Sequence, residues 1–238
     1  MHVAFIFHRE LLINRAGLSN SKKGVKNGTR RHVPPEAISL GAAADFIYAH
    51  IHELGYDQAH LVGHSVGGAV AVVVASRYPE SVASLVDVEG NFTLKDAFWS
   101  EQLAKMGRSQ AEAVLESYRA DPRAWLAGSG INATEELVEL ATHSLAAQPS
   151  STLQAMASSV VQTTSDASYL QGIATILNRS IPFHLVAGSR SREGWDVPAW
   201  VLQQATSVTI QPDAGHMMMW EDQQHFLSIV RQLIPYNE

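Results

Sequence analysis

The sequence has no cysteine among its 238 residues. A disulfide framework, a thiolate-ligated metal site and a cysteine nucleophile are therefore excluded. Charged residues are also few, at 17% of the chain, and acidic residues outnumber basic ones to give a formal net charge of −6. A chain with this balance lacks the basic surface that nucleic acids require, so we expect no nucleic-acid partner.

Long hydrophobic runs are missing as well. No segment approaches the length of a transmembrane helix, and the apolar stretch at residues 3–7 is too short for the core of a signal peptide. We therefore expect a soluble, cytoplasmic protein that does not bind membranes. Hydrophobic residues make up 46% of the chain, which at this length is enough for the core of one ordinary domain.

One serine stands in a Gly-x-Ser-x-Gly pattern at residues 63–67. An apolar run at 59–62 precedes the pattern and a longer one at 69–78 follows it, which predicts a sharp turn from a buried strand into a helix. Glycines permit that turn because a Cβ there would collide with its opposite arm. The Ser65 hydroxyl would then lie at a helix N-terminus, where the Val66 N–H can stabilise an oxyanion. The pattern favours a nucleophile over a structural turn.

A serine nucleophile needs a base, and His216 is the strongest candidate among the eleven histidines. It follows a glycine and a predicted strand at 208–210, which would place its imidazole at the sheet edge that carries Ser65. His64 is expected to pack beside the nucleophile. The histidines show no clear ligand spacing, so we expect no metal site.

Strand and helix signals alternate along most of the chain. Helices are predicted at about 36–54 and 221–233, and a turn-rich basic loop at 17–28. Predicted strands lie near residues 3–7, 59–62, 83–88, 182–187 and 208–210, with a further strand or a continuation at 11–14. This order predicts an α/β fold, a mostly parallel sheet with helices on both faces.

Strand signals nearly vanish between residues 92 and 178, where turn residues divide the segment into several helices. We therefore predict a core formed by residues 1–91 and 179–238. The 92–178 segment is predicted to be a helical insertion rather than a second domain with its own sheet.

These features resemble the α/β-hydrolase fold family. The similarity rests on the serine motif, on the helix end at 76–80, on the turn at 15–19 and on the histidine segment at 214–221, and it covers nearly all the chain from about residue 11. The resemblance implies an ester-type hydrolase that needs no cofactor, with a helical cap at 92–178. A serine at the turn disfavours dehalogenation, which in this family uses an aspartate nucleophile.

The acid that would orient His216 is left open by the sequence. The family most often places it after the strand at 182–187, where this chain has Ser191 at the usual aspartate position and Asp196 farther on. Other members use the end of the preceding strand, which here supplies Glu89. We favour Glu89 because it lies at the carboxyl edge of the predicted sheet, where sites form, and keep Asp196 as the alternative. Two less favoured carboxylates are Asp87 and Glu193.

The chain departs from the family pattern near its N-terminus, where it is expected to be short. Members carry a His-Gly turn whose loop supplies a second oxyanion N–H, whereas this sequence reads His8-Arg9. Val66 is then the one donor that the sequence identifies. An incomplete sheet would also leave an exposed edge through which copies of the chain could pair as a homo-oligomer.

Two functions follow from this sequence. The first is a serine hydrolase whose small-molecule substrates are small to medium apolar carboxylic esters or related acyl compounds. The second is a catalytically weak or inactive hydrolase-like scaffold that binds a small ligand or a partner. Ser65-dependent hydrolysis of a short-chain ester is expected only for the first function and would distinguish it from the second.

Overall fold

A computed structural model describes residues 2–7, 10–15 and 37–234 of the chain. Its strands are β1 His2–Phe7, β2 Glu10–Arg15, β3 Ala59–His64, β4 Val82–Val88, β5 Phe183–Gly188 and β6 Ser207–Gln211. They form one sheet in the order β2-β1-β3-β4-β5-β6. Strands β1 and β3 to β6 run parallel, and β2 pairs antiparallel with β1. The predicted mostly parallel α/β fold is confirmed.

Helices account for most of the remaining described residues. In chain order they are α1 Leu40–Glu53, α2 Val66–Arg77, α3 Phe98–Lys105, α4 Arg108–Ala120, α5 Pro122–Gly128, α6 Glu135–Ala146, α7 Ser150–Ser165, α8 Ala167–Asn178, α9 Ala199–Gln204, α10 Met218–Glu221 and α11 Gln223–Leu233. None of these described helices combines the length and apolar character that a membrane span requires. Self-association through a sheet edge, formed here by β2 and β6, stays a prediction.

Side-chain alternation along the strands divides the apolar core between the two faces of the sheet. Leu61, Leu85 and Leu185 point into a cluster that includes α1, α2 and α8. Their neighbours on the other face pack against α11; they are Val62, Val86 and Val186. Both faces are therefore covered, as expected for strands that read as continuous apolar runs.

Two predicted helix boundaries are wrong, and a capping side chain explains each. Helix α1 begins at Leu40 rather than near residue 36, because the Ser39 hydroxyl accepts a hydrogen bond from the Ala42 N–H and caps the helix. The predicted helix at 221–233 is interrupted at Asp222, whose extended backbone ends α10 and whose carboxylate accepts the His225 N–H to start α11.

The segment between β4 and β5 contains α3 to α8 and no strand. Its last two helices join the main core, to which α7 contributes Val160 and α8 contributes Ile173 and Ile176. The helices before them form separate apolar clusters, one around Leu115 and one around Leu126. The predicted basic loop at 17–28 lies outside the described residues, as does the pair His8-Arg9.

The turn between β3 and α2 constrains the backbone tightly. Ser65 has φ 54° and ψ −123°, a conformation that non-glycine residues rarely adopt. Its N–H donates to the Val88 carbonyl at 3.0 Å, which fixes the turn to the end of β4. A Cβ on Gly63 would lie 2.4 Å from the Gly67 carbonyl oxygen, so the two arms of the turn approach as closely as glycine allows.

This close approach predicts the effect of one added methyl group. Gly63→Ala should destabilise the protein by about 3 kcal/mol, because the clash is with backbone that cannot move aside cheaply. Thermal unfolding followed by circular dichroism should show a Tm roughly 6–12 °C lower. Gly128→Ala is the matched control, since no atom lies within 4 Å of a Cβ built there. Equal Tm values for the two variants would contradict the account.

Candidate active site

The turn after β3 presents Ser65 and Val66 to a cavity above the sheet. Ser65 is half-buried, and Val66 is the first residue of α2. The N–H groups in the first turn of a helix have no acceptor within the helix, so they remain available to an anion. A hydroxyl and a donor for a developing negative charge thus lie side by side.

His216 lines the same cavity from the loop after β6, and several contacts hold this loop in place. The Gly215 N–H donates to the Glu221 carboxylate at 2.7 Å. The Arg190 guanidinium donates to the Asp213 carbonyl and to the second oxygen of Glu221. These hydrogen bonds hold the loop in place before and after His216, whose side chain is 45% exposed.

Glu89 contacts His216 from the end of β4. Its Oε2 lies 2.7 Å from His216 Nδ1, and its side chain is 4% exposed. The other oxygen, Oε1, accepts the Gly188 N–H at 2.8 Å and the Ser191 hydroxyl at 2.6 Å. An ionised carboxylate only accepts hydrogen bonds, so this pairing keeps the proton on Nδ1 and leaves Nε2 as a base.

The anchoring of Glu89 was not predicted from the sequence. Ser191 stands at the position where the family commonly has its aspartate, and its hydroxyl instead donates to the carboxylate of Glu89. Glu89 itself has φ 44°, so the alternation of side chains along the strand ends at Val88. The serine in place of an aspartate was the one available sequence signal.

The other candidate carboxylates have different contacts. Asp196 accepts the Thr93 hydroxyl at 2.6 Å and lies 3.7 Å from the Lys95 ammonium. Glu193 is exposed in a short 3₁₀ helix. The structure brings Glu89, rather than either of these, to His216.

His64 packs beside His216, with ring centroids 4.6 Å apart. Its Nε2 lies 2.9 Å from the His216 carbonyl oxygen, which only accepts, so His64 Nε2 carries a proton and donates. This bond fixes the backbone of the histidine loop from the side of the serine turn.

The cavity has a volume of about 1980 Å³ and a mainly apolar wall. Much of its aromatic and aliphatic lining comes from the helices before α7 and from the segment after His216, and includes Phe98, Trp99, Leu115, Tyr118, Trp125, Leu137, Leu140, Met217, Met219 and Trp220. Within the described part of the chain, no three acidic or histidine side chains cluster as metal ligands would.

Comparison with known proteins identifies the family. The family model described as the alpha/beta hydrolase fold matches residues 11–223. The chain belongs to this family. No curated protein sequence matches it.

Solved structures of the same fold share little sequence with this hydrolase-family chain. An esterase from Exiguobacterium antarcticum is 17% identical, with a TM-score of 0.59 over 84% of this chain and 76% of that one. A thermophilic esterase from Thermogutta terrifontis is 18% identical, with a TM-score of 0.57 over 82% and 71%. A putative epoxide hydrolase from Klebsiella pneumoniae is 18% identical, with a TM-score of 0.62 over 87% and 77%. These likenesses support the fold.

A second carboxyl group, Asp87, is buried beneath the site. Its Oδ1 accepts the Gly90 N–H at 2.7 Å, whereas its Oδ2 has no hydrogen-bond partner among the described residues. A Cβ on Gly68 would lie 2.7 Å from Oδ2, so the carboxyl packs directly against the first turn of α2. Burial raises the pKa of Asp87 to about 8, since a charge there would lose its hydration.

The raised pKa predicts how stability depends on pH. The folded state holds the Asp87 proton up to about pH 8, whereas the unfolded chain loses it near the ordinary aspartate pKa of 3.8. The stabilising contribution is therefore complete below pH 4 and decreases as the pH rises toward 8, by up to about 1.4 kcal/mol per pH unit.

Asp87→Asn should remove this loss because an amide does not ionise. Urea unfolding between pH 4 and 9 should show that the free energy of unfolding of the variant rises relative to that of the wild type up to about pH 8. Above that pH the difference between the two should stay constant. Asp57→Asn, in an exposed turn, is the control and should track the wild type. A constant difference between Asp87→Asn and the wild type at every pH would refute the assignment.

Proposed function

We propose that the chain is a serine hydrolase that cleaves small to medium apolar carboxylic esters or related acyl compounds. Ser65 is the nucleophile, His216 the base and Glu89 the acid. The observation that carries the proposal is the 2.7 Å contact between Glu89 and His216 Nδ1, in a cavity that Ser65 also lines.

The proposed reaction has two stages. Ser65 Oγ attacks the ester carbonyl carbon while its proton passes to His216 Nε2, and the Val66 N–H stabilises the oxyanion. The tetrahedral intermediate collapses, and the leaving alcohol takes the proton from His216. Water then attacks the acyl group on Ser65 with His216 again as base, which releases the carboxylic acid and restores the enzyme.

The lining of the cavity supports apolar substrates. Phe98 and Trp99 border it from α3, and Met217 and Met219 from beside the base. Its volume of about 1980 Å³ exceeds the usual range for small-molecule sites, so both halves of a medium-sized ester would fit. We also propose that residues 92–178 act as the cap, since α3 to α6 supply much of this wall.

Ser65→Ala should lower hydrolysis of 4-nitrophenyl butanoate by at least about 10⁴-fold, because the reaction loses its nucleophile. Covalent labelling by a fluorophosphonate, detected by intact mass, should disappear with it. Ser165→Ala is the control, since that hydroxyl donates to the Gln162 carbonyl at the end of α7. Undiminished hydrolysis by folded Ser65→Ala would end the assignment, and absent hydrolysis by the wild type would favour the non-catalytic scaffold.

Glu89→Gln should lower turnover by about 10⁴-fold, because it would change which nitrogen of His216 carries the proton. The Gly188 N–H and the Ser191 hydroxyl both require an acceptor, so the amide oxygen would face them and the amide NH₂ would face Nδ1. Nδ1 would then accept, and Nε2 would carry the proton and lose its basic role.

Asp196→Asn is the matched control for this test. Its Oδ2 accepts the Thr93 hydroxyl, and loss of that interaction leaves His216 untouched. Turnover of this variant should stay within about threefold of the wild type. If Asp196→Asn were the more damaging change, the acid would have to be reassigned.

A further inference from the structure

Three aromatic side chains form a continuous cluster on one wall of the cavity. The rings of Tyr118 on α4 and Trp125 on α5 have centroids 6.3 Å apart. Trp125 in turn meets Trp220 on α10 edge to face, with centroids 6.1 Å apart and an interplanar angle of 74°. All three are half-buried and line the cavity, so part of each ring is available to a ligand.

This aromatic cluster lies on the side of the cavity that holds the base. Trp220 follows His216 by four residues, and its backbone N–H donates to the Met217 carbonyl at 2.8 Å. Met217 and Trp220 pack together with Trp125 against a buried apolar cluster formed by Leu126, Ile131 and Ala141. The histidine loop and α5 therefore form one wall.

The chemistry of ester cleavage indicates which half of a substrate meets this wall. In the first stage His216 gives its proton to the departing alcohol oxygen, so that oxygen must lie within hydrogen-bond reach of His216 Nε2. The group attached to it then extends along the residues beside the histidine. The acyl group, bonded to Ser65, extends elsewhere in the cavity.

Charges along the cavity narrow the class of alcohol further. Four acidic side chains line the cavity, and two of them, Asp121 and Glu136, lie near the starts of α5 and α6. Among the described residues of the lining, Arg190 is the one arginine or lysine, and it is paired with Glu221. An anionic alcohol would face repulsion without a free cation to offset it.

We propose that Tyr118, Trp125 and Trp220 form the alcohol subsite and select esters of aromatic alcohols that carry no negative charge. Aromatic rings gain from edge-to-face and offset contacts beyond the burial of their area, and three rings form the cluster at this position. The inference rests on the proposed ester hydrolysis and adds to it the chemical class of the leaving group.

The test compares benzyl and methyl butanoate, which share an acyl group and differ in the alcohol. We expect Trp125→Ala to lower kcat/KM for the benzyl ester by about tenfold more than it lowers kcat/KM for the methyl ester. Trp125→Phe should retain most of the preference, because a ring remains in place. Phe46→Ala is the control, since that ring is 63% exposed on α1 and lies outside the cavity lining.

The rate of deacylation distinguishes the loss of an alcohol subsite from a general loss of catalytic activity. The butanoyl-enzyme has already lost its alcohol, so its decay should be the same in Trp125→Ala and in the wild type. Its formation from 4-nitrophenyl butanoate and its decay can be followed by intact mass. A merely structural role for Trp125 would slow both stages.

Each other outcome overturns the inference. An equal loss for the two esters, or slower deacylation, would show that the cluster supports the fold or holds the acyl group. Hydrolysis of both esters by the wild type without preference for benzyl would refute the inference alone. Failure of the wild type to hydrolyse either ester would refute the proposed function together with it.

Discussion

The carboxylate of Glu89 joins the carboxyl ends of three strands. It follows β4, accepts hydrogen bonds from Gly188 at the end of β5 and from Ser191 just after that strand, and contacts His216 after β6. Each of these partners is about one hundred residues or more from Glu89 in the sequence. A buried carboxylate with three donors is stable where one without partners would not be. The geometry of the site therefore depends on this one side chain, which sets the position of the imidazole relative to the sheet.

Backbone strain is concentrated at the same edge of the sheet. Ser65 and Glu89, which follow the adjacent strands β3 and β4, both have positive φ. The Ser65 N–H donates to the Val88 carbonyl, so the two strained residues are tied through a single hydrogen bond. Such conformations persist where surrounding structure holds them, and they cluster at functional sites. Each turn re-aims a side chain that regular strand geometry would have directed into the core.

The parallel sheet and the serine turn were predictable because their signals are local. The strands are apolar runs bounded by turn residues, and the glycines around Ser65 indicate the sharp turn. The helix boundaries at Ser39 and Asp222 were missed because a cap depends on one side chain rather than on periodicity. The choice between Glu89 and Asp196 could not be made from the sequence alone, because both follow strands that end at the same edge of the sheet. The Arg190 and Glu221 pair, thirty-one residues apart, carried no sequence pattern that could reveal it.

The packing of Met217 and Trp220 against Leu126 has a mechanical consequence. The same apolar contacts that close the cavity over the sheet also brace the loop that carries His216. A hinge motion that lifted α5 would expose these side chains to water and loosen the base at the same moment. Displacement of α5 would therefore also disturb the position of the His216 imidazole. The position of His216 thus depends on apolar packing with residues of the helical segment between β4 and β5, far from it in the sequence.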